Sequence, residues 1–148
     1  MMARLVNDPV RYKDVYQALS AVNGVYLVID PISHKQYVGS ASGSDGIYGR
    51  WKTYAETNGT GVTGSDEGNK RLVEHLKAHP NRYLKLRYSI LETMHRTGNE
   101  QKYRKTALEL ESSYKEKLDS RNMETGLNAK LLFTVNVIKL RCFELDSL

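Results

Sequence analysis

Tyr26 and Tyr37 occupy neighbouring strand patterns, where their hydroxyls can meet on one surface. Val25 and Leu27 alternate with Tyr26, which is the period of two typical of a strand. We therefore expect Tyr26 to point away from the apolar face and its phenol to lie outside that core. In a symmetric hairpin with a second strand over residues 36–40, Tyr37 falls on the same face as Tyr26. Two such hydroxyls beside a basic helix suit a phosphate site, although either tyrosine alone could simply be a strand former.

Arg50 and Tyr54 are four residues apart in a helix predicted over residues 47–55, so their side chains share a face of that helix. Two interpretations stay open. Arg50 is either a solvated charge with a tyrosine packed on its stem, or a guanidinium fork presented to a phosphate.

Glu111 is the better candidate ligand of the two glutamates in a helix predicted over residues 100–119. With 100° per residue, Glu111 lies about 60° from the centre of the apolar stripe, and Glu109 about 140° from it. We expect Glu109 to be a solvated charge. A carboxylate at the margin of a core must be paired or bind a metal, so Glu111 is either in a salt bridge, with Arg50 as a candidate partner, or a metal ligand.

The composition is that of a globular domain, with 148 residues, 40% of them hydrophobic and 26% charged. The net charge of +5 and the sequence pI of about 9.3 suit a polyanionic partner without identifying one. No apolar run approaches the length of a membrane span, the N-terminus lacks a secretory signal, and Cys142 is the only cysteine. We therefore expect a cytoplasmic protein without membrane contacts.

The succession of strand and helix patterns predicts an α+β fold, with a small, mainly antiparallel three-stranded sheet flanked by helices. The third strand, over residues 84–90, is expected to have one buried and one basic face. A helix capped by Asn69 and ended by Pro80 precedes it. The predicted divisions are a polar lead-in with a short helix at 1–20, the main domain at 21–130, and a tail at 131–148. The tail is an extra strand, an edge for a partner chain, or an unstable remnant.

The first hairpin contains Gly24-Val25-Tyr26 and, ten residues later, Tyr37-Val38-Gly39. These tripeptides resemble the pair that gives the GIY-YIG nuclease family its name, with valine in place of isoleucine in both. Other family landmarks follow in order, namely Arg50, Glu111, and Asn128 within Gly-Leu-Asn. The resemblance covers residues 24–128 and is that of a small, single-domain family member.

This resemblance implies a DNA endonuclease that hydrolyses phosphodiester bonds at one metal ion, Mg²⁺ or Mn²⁺ in its place. It implies a metal-binding role for Glu111, a phosphate clamp at Arg50 and a supporting role for Asn128. Tyr54 matches a position where some family members carry His or Tyr. The sequence leaves open whether Tyr26 or Tyr54 is the general base, with Tyr37 assisting. Because a free tyrosine has a pKa near 10, we expect the site to lower the pKa of that base.

Five further cations are predicted to hold nucleic-acid backbone, namely Lys52, Lys70, Arg71, Lys85 and Arg87. One alternative is the same fold kept as a catalytically inactive nucleic-acid-binding module, and another is a protein-interaction domain. We expect a monomer or a homodimer. The histidines show no ligand spacing and are expected at the surface, without a zinc site: His34, His75, His79 and His95.

Overall fold

The computed structural model describes residues 2–63, 69–95 and 98–129. Its described elements, in chain order, are two N-terminal helices, a hairpin, two helices, a third strand and a long helix. Their bounds are α1 Met2–Asn7, α2 Lys13–Ala21, β1 Asn23–Ile29, β2 Gln36–Ala41, α3 Gly46–Glu56, α4 Lys70–Ala78, β3 Arg87–Met94 and α5 Glu100–Lys117.

The three strands form one antiparallel sheet in the order β2-β1-β3, so β1 is central. Tyr26 pairs with Gly39 and Val28 with Tyr37, which places the two tyrosines on the same face as the sequence predicted. The register between β1 and β3 shifts between Val25 and Tyr26. Gly24 precedes this bulge with a φ of +152°, and a Cβ there would collide with a carbonyl of β3.

One face of the sheet carries the main hydrophobic core. Tyr26 and Val28 are fully buried there against Trp51 and Tyr54 of α3. Tyr26 thus points away from the face of Val25, as expected, but its phenol is buried in this main core instead of lying on an open surface. Helices cover this sheet on both faces, so the period-two pattern of β1 marks two buried faces rather than one.

Helix α5 covers the other face. Ser40 and Val38 share that face, and Ser40 donates a hydrogen bond to Glu111 of α5. Val38 of β2 and Ala107 of α5 are both completely buried. A three-stranded antiparallel sheet with helices packed on it confirms the predicted α+β fold.

Helices α1 and α2 pack on α3, and their Leu5 and Leu19 enter the main core. The third strand begins later than predicted, because Arg82–Lys85 is a short 3₁₀ helix. Lys85 therefore lies before β3, and Ile90 on β3 is 41% exposed instead of buried. In the part of the chain that the structure describes, no helix combines the length and apolar character needed to span a membrane. The predicted C-terminal tail and Cys142 lie outside the described residues.

Candidate active site

A cleft of about 610 Å³ opens beside the C-terminal end of β2, between α3 and α5. Four of the six predicted catalytic residues line it: Tyr26, Tyr37, Arg50 and Glu111. The remaining wall is built mostly from small residues of the loop between β2 and α3 and from α5, namely Ser40, Ala41, Ser42, Gly43, Ser44, Asp45, Gly46, Gly49, Thr53, Arg104, Leu108 and Lys115.

Gly39 allows the Tyr26 side chain to cross the sheet toward the cleft. The two residues are paired across β1 and β2, and a Cβ on Gly39 would lie 2.5 Å from the Tyr26 hydroxyl oxygen. Only glycine leaves the phenol room at this position. The glycine of Tyr37-Val38-Gly39 thus has a steric role in placing the other tyrosine of the motif.

Behind the cleft, tyrosine hydroxyls form a buried chain. The Tyr26 hydroxyl donates to the Tyr54 hydroxyl at 3.2 Å, and Tyr54 in turn interacts with Tyr37. Tyr37 donates to the side-chain oxygen of Asn69, whose amide nitrogen donates to the Thr60 carbonyl at 2.9 Å. Asn69 thus uses its side chain to anchor this chain instead of capping α4 as predicted.

Burial raises the pKa of Tyr26 well above its ordinary value, and the neighbouring Tyr54 adds to that shift while Arg50 opposes it. Burial likewise raises the pKa of Tyr54 and of Tyr37. The direction is opposite to the expected lowering, because the structure places these phenols in the core instead of on an open surface. Tyr54 is fully buried and does not line the cleft, whereas Tyr26 does.

Arg50 stacks its guanidinium over the Tyr54 ring, with 5.3 Å from Cζ to the ring centroid. This geometry combines the two interpretations of the sequence, since the arginine packs on Tyr54 and also lines the cleft. Its charge is permanent, and it also contacts the Tyr26 hydroxyl. The guanidinium is therefore held beside the Tyr26 phenol, which lines the cleft.

Glu111 presents a largely buried carboxylate, with a side chain that is 14% exposed. One oxygen accepts a hydrogen bond from Ser40 and the other forms an ion pair with Lys115. Lys115, rather than Arg50, is thus the salt-bridge partner. Glu109 has a side chain that is 65% exposed and pairs with Lys105 at 3.8 Å, as expected for a solvated charge.

The acidic ligands available in this cleft fit Mg²⁺ better than a transition metal. Among the described residues, no cluster of three or more His, Cys, Asp or Glu side chains is placed to hold an ion. Mg²⁺ is commonly bound through one or two carboxylates while keeping several waters, so Glu111 in an open cleft matches its requirements. Both Glu111 oxygens already have partners, so an incoming cation has to compete with Lys115.

Asn128 holds β2 by hydrogen bonds from its side chain to the Val38 backbone. Its side-chain oxygen accepts from the Val38 amide and its side-chain nitrogen donates to the Val38 carbonyl, both at 2.8 Å. The Asn128 amide thus makes the two backbone hydrogen bonds that a neighbouring strand would make to Val38. Asn128 is buried and does not line the cleft, so its contacts are those of a supporting residue.

The predicted backbone-binding cations lie outside the cleft wall. Arg71 directs its guanidinium to carbonyls of the segment 121–128, including Asn128 at 2.6 Å and Gly126 at 2.7 Å, so it is a structural clamp and not a free phosphate ligand. Lys52 lies 3.7 Å from Glu56. The other three are exposed, namely Lys70, Lys85 and Arg87.

Two features escaped the sequence patterns. Arg104 and Lys115 bring positive charge to the cleft, and only the turn-by-turn geometry of α5 relates them to Glu111.

His75, expected at the surface, is buried and lies 2.7 Å from a carboxylate oxygen of the buried Asp30. Burial would raise the pKa of Asp30, but hydrogen bonds, from Ser33 foremost, outweigh burial and hold that pKa low.

Comparisons of this chain with family models, with curated proteins and with solved structures each find no match.

Proposed function

We propose that the protein is a metal-dependent endonuclease that hydrolyses DNA phosphodiester bonds in the cleft beside β2. The observation that carries the proposal is that one cleft collects Tyr26, Arg50 and Glu111, which are far apart in the chain. A phenol, a permanent cation and a carboxylate are the groups that phosphodiester hydrolysis uses to position water, hold the phosphate and bind a cation. Their order along the chain, with Tyr37 and Asn128, resembles that of GIY-YIG nucleases.

In the proposed reaction a water oxygen bonds to phosphorus while its proton passes to the ionised Tyr26 oxygen. The P–O3′ bond breaks, and the 3′ oxygen takes a proton from solvent and leaves as an alcohol. Arg50 binds a non-bridging phosphate oxygen and offsets the negative charge that develops there. Ser40 and Lys115 hold the Glu111 carboxylate at the cleft wall. A Mg²⁺ ion bound at Glu111 would supply Lewis-acid charge for the phosphate and the leaving oxygen.

A second candidate is a nucleic-acid-binding module of the same fold without catalysis. The Lys115–Glu111 ion pair favours it, because that pair neutralises the carboxylate that a metal would need. In this case the cleft would hold phosphate through Arg50 and Lys115 without hydrolysis.

Nicking of a supercoiled plasmid with and without Mg²⁺ distinguishes the two candidates. We expect Glu111→Gln to lower the nicking rate at least about 100-fold, because the substitution keeps the shape but removes the ligand charge. DNA binding by this variant, measured by fluorescence anisotropy, should persist.

Glu109→Gln is the matched control on the same helix, and we expect its nicking rate to stay within about twofold of the wild type. Thermal unfolding of both variants separates lost chemistry from lost folding. Absence of Mg²⁺-dependent nicking by the folded wild type would rule out the endonuclease and leave the binding module. Equal losses in the two variants would refute the role given to Glu111.

A further inference from the structure

One side of α5 forms part of the cleft wall along three turns. Arg104, Leu108, Glu111 and Lys115 all line the cleft, at intervals of four, three and four residues. At 100° per residue these positions stay within an arc of about 60°, so they form a straight row along the helix. The row extends the cleft well beyond the Glu111 carboxylate.

Arg104 is the exposed cation of this row, and within the described residues it makes no ion pair or hydrogen bond. Two other cations of α5 are engaged, since Lys105 pairs with Glu109 and Lys117 lies over the Tyr114 ring at 5.0 Å. Lys115 is bound to Glu111. Among the described residues Arg104 therefore offers an unpaired guanidinium on the wall of a cleft that also contains Arg50.

The spacing along α5 matches a strand of nucleic acid that continues past the reacting phosphate. Seven residues separate Arg104 from Glu111, which is roughly 10 Å along the helix and is enough to reach a phosphate beyond the reacting one. Leu108 lies between them with 54% of its surface exposed, where it offers an apolar contact to a deoxyribose. A planar guanidinium is the side chain best suited to bind a phosphate through two hydrogen bonds.

We propose that Arg104 binds a flanking phosphate of the substrate, one to three nucleotides from the phosphate held at Arg50 and Glu111, so that the DNA strand follows α5. The inference rests on the proposed function, because it takes the Arg50–Glu111 end of the cleft as the reaction centre. The substrate is then a strand that extends beyond the scissile nucleotide toward the N-terminal half of α5.

The test compares wild type, Arg104→Gln and the control Lys105→Gln on a labelled short duplex in EDTA, and on the same duplex with Mg²⁺ for cleavage. We expect Arg104→Gln to weaken binding about 3–10-fold and to reduce the slope of log K against log salt by about 0.9, the contribution of one phosphate. KM should rise by a similar factor with kcat within about twofold of wild type. Lys105→Gln should match wild type in each measurement.

A scan of single methylphosphonates, each neutralising one phosphate within three nucleotides of the cut, locates the contact. One position should weaken wild-type binding as much as Arg104→Gln does, and should weaken the variant no further. If the wild type cleaves DNA and Arg104→Gln binds and cleaves it equally well, the inference about Arg104 is wrong and the proposed function stands. Arg104-dependent binding without any cleavage overturns the proposed hydrolysis and supports the phosphate contact. A wild type that binds no DNA overturns both.

Discussion

Tyr26 belongs to the buried hydroxyl chain and, like Tyr37, lines the cleft. The chain ends at the side-chain oxygen of Asn69, which cannot keep a proton. Tyr26 therefore becomes a base only by net ionisation, which its raised pKa opposes. Arg50 favours the ionised form, and further positive charge in the cleft, such as a cation on Glu111, would act in the same direction.

Replacement of Tyr26 by Phe tests this role directly, because it removes the hydroxyl and keeps the ring against Trp51, 6.2 Å between centroids. We expect kcat for DNA cleavage at saturating Mg²⁺ to fall roughly 10²–10⁴-fold, the usual loss on removing a general base. Near-normal rates in Tyr26→Phe would instead favour a mechanism in which no tyrosine accepts the proton.

Two matched replacements complete that experiment. Tyr54→Phe removes the hydroxyl that accepts from Tyr26 without altering the cleft wall, so we expect a smaller loss of kcat than for Tyr26→Phe. Tyr103, a buried tyrosine of α5 that does not line the cleft, is the control. Its hydroxyl has no hydrogen-bond partner among the described residues, so Tyr103→Phe should leave the rate unchanged and the fold equally or more stable.

Residue types and spacing predicted which residues line the cleft better than they predicted the surroundings of each of those residues. The sequence picked out Tyr26, Arg50 and Glu111, and one cleft contains them. The sequence did not predict the Lys115 ion pair or the buried Asp30–His75 contact, because both depend on which helix face meets the sheet. A pKa direction depends on the same information, because burial, which raises the pKa of these tyrosines, is not visible in residue spacing.

At the scale of elements, periodicity located most helices and strands but not the buried faces. Strand β1 has helices on both faces of the sheet, so the residues that point to either face are mostly apolar. The alternation therefore does not show which face carries the main core. The third strand was extended too far toward its start, since Leu84 continues the alternation of β3 while lying in a 3₁₀ helix. A local turn of this kind interrupts a strand without changing its hydrophobic pattern.

Arg71 joins α4 to the segment that carries Asn128, through hydrogen bonds from one guanidinium to the carbonyls of Arg121, Asn122, Met123, Gly126 and Asn128. We expect Arg71→Ala to lower the free energy of unfolding by about 2–4 kcal/mol, because several carbonyls lose a charged donor together. Urea unfolding monitored by circular dichroism provides the measurement.

Lys70→Ala, one residue earlier on the same helix, is the control, because Lys70 is exposed. Its unfolding free energy should stay within about 0.5 kcal/mol of wild type. A similar small change in Arg71→Ala would mean that the carbonyls find other donors. The Asn128 clamp on Val38 should loosen only in the Arg71 variant, which hydrogen exchange at the Val38 amide would report.

For the whole molecule, the tyrosine-rich core predicts how stability depends on pH. Burial raises the pKa of Tyr26, Tyr37, Tyr54 and Tyr88 above 10 in the folded protein. Above pH 10 the unfolded chain loses these protons while the folded protein keeps them, so the folded state binds more protons. The free energy of unfolding must then decrease as pH rises, by up to about 1.4 kcal/mol per pH unit for each tyrosine.

Tyr88→Phe isolates one of these contributions, because Tyr88 packs on Trp51 in the core and does not line the cleft. We expect stability from urea unfolding to be nearly constant between pH 8 and 9 and to fall steeply from pH 10 to 11 in wild type. The fall should be about a quarter shallower in Tyr88→Phe, since one of four phenols no longer titrates. Comparison with each protein's own value at pH 8 removes any packing effect of the substitution. Stability that is unchanged up to pH 11, or identical slopes in the two proteins, would contradict a core held together by protonated phenols.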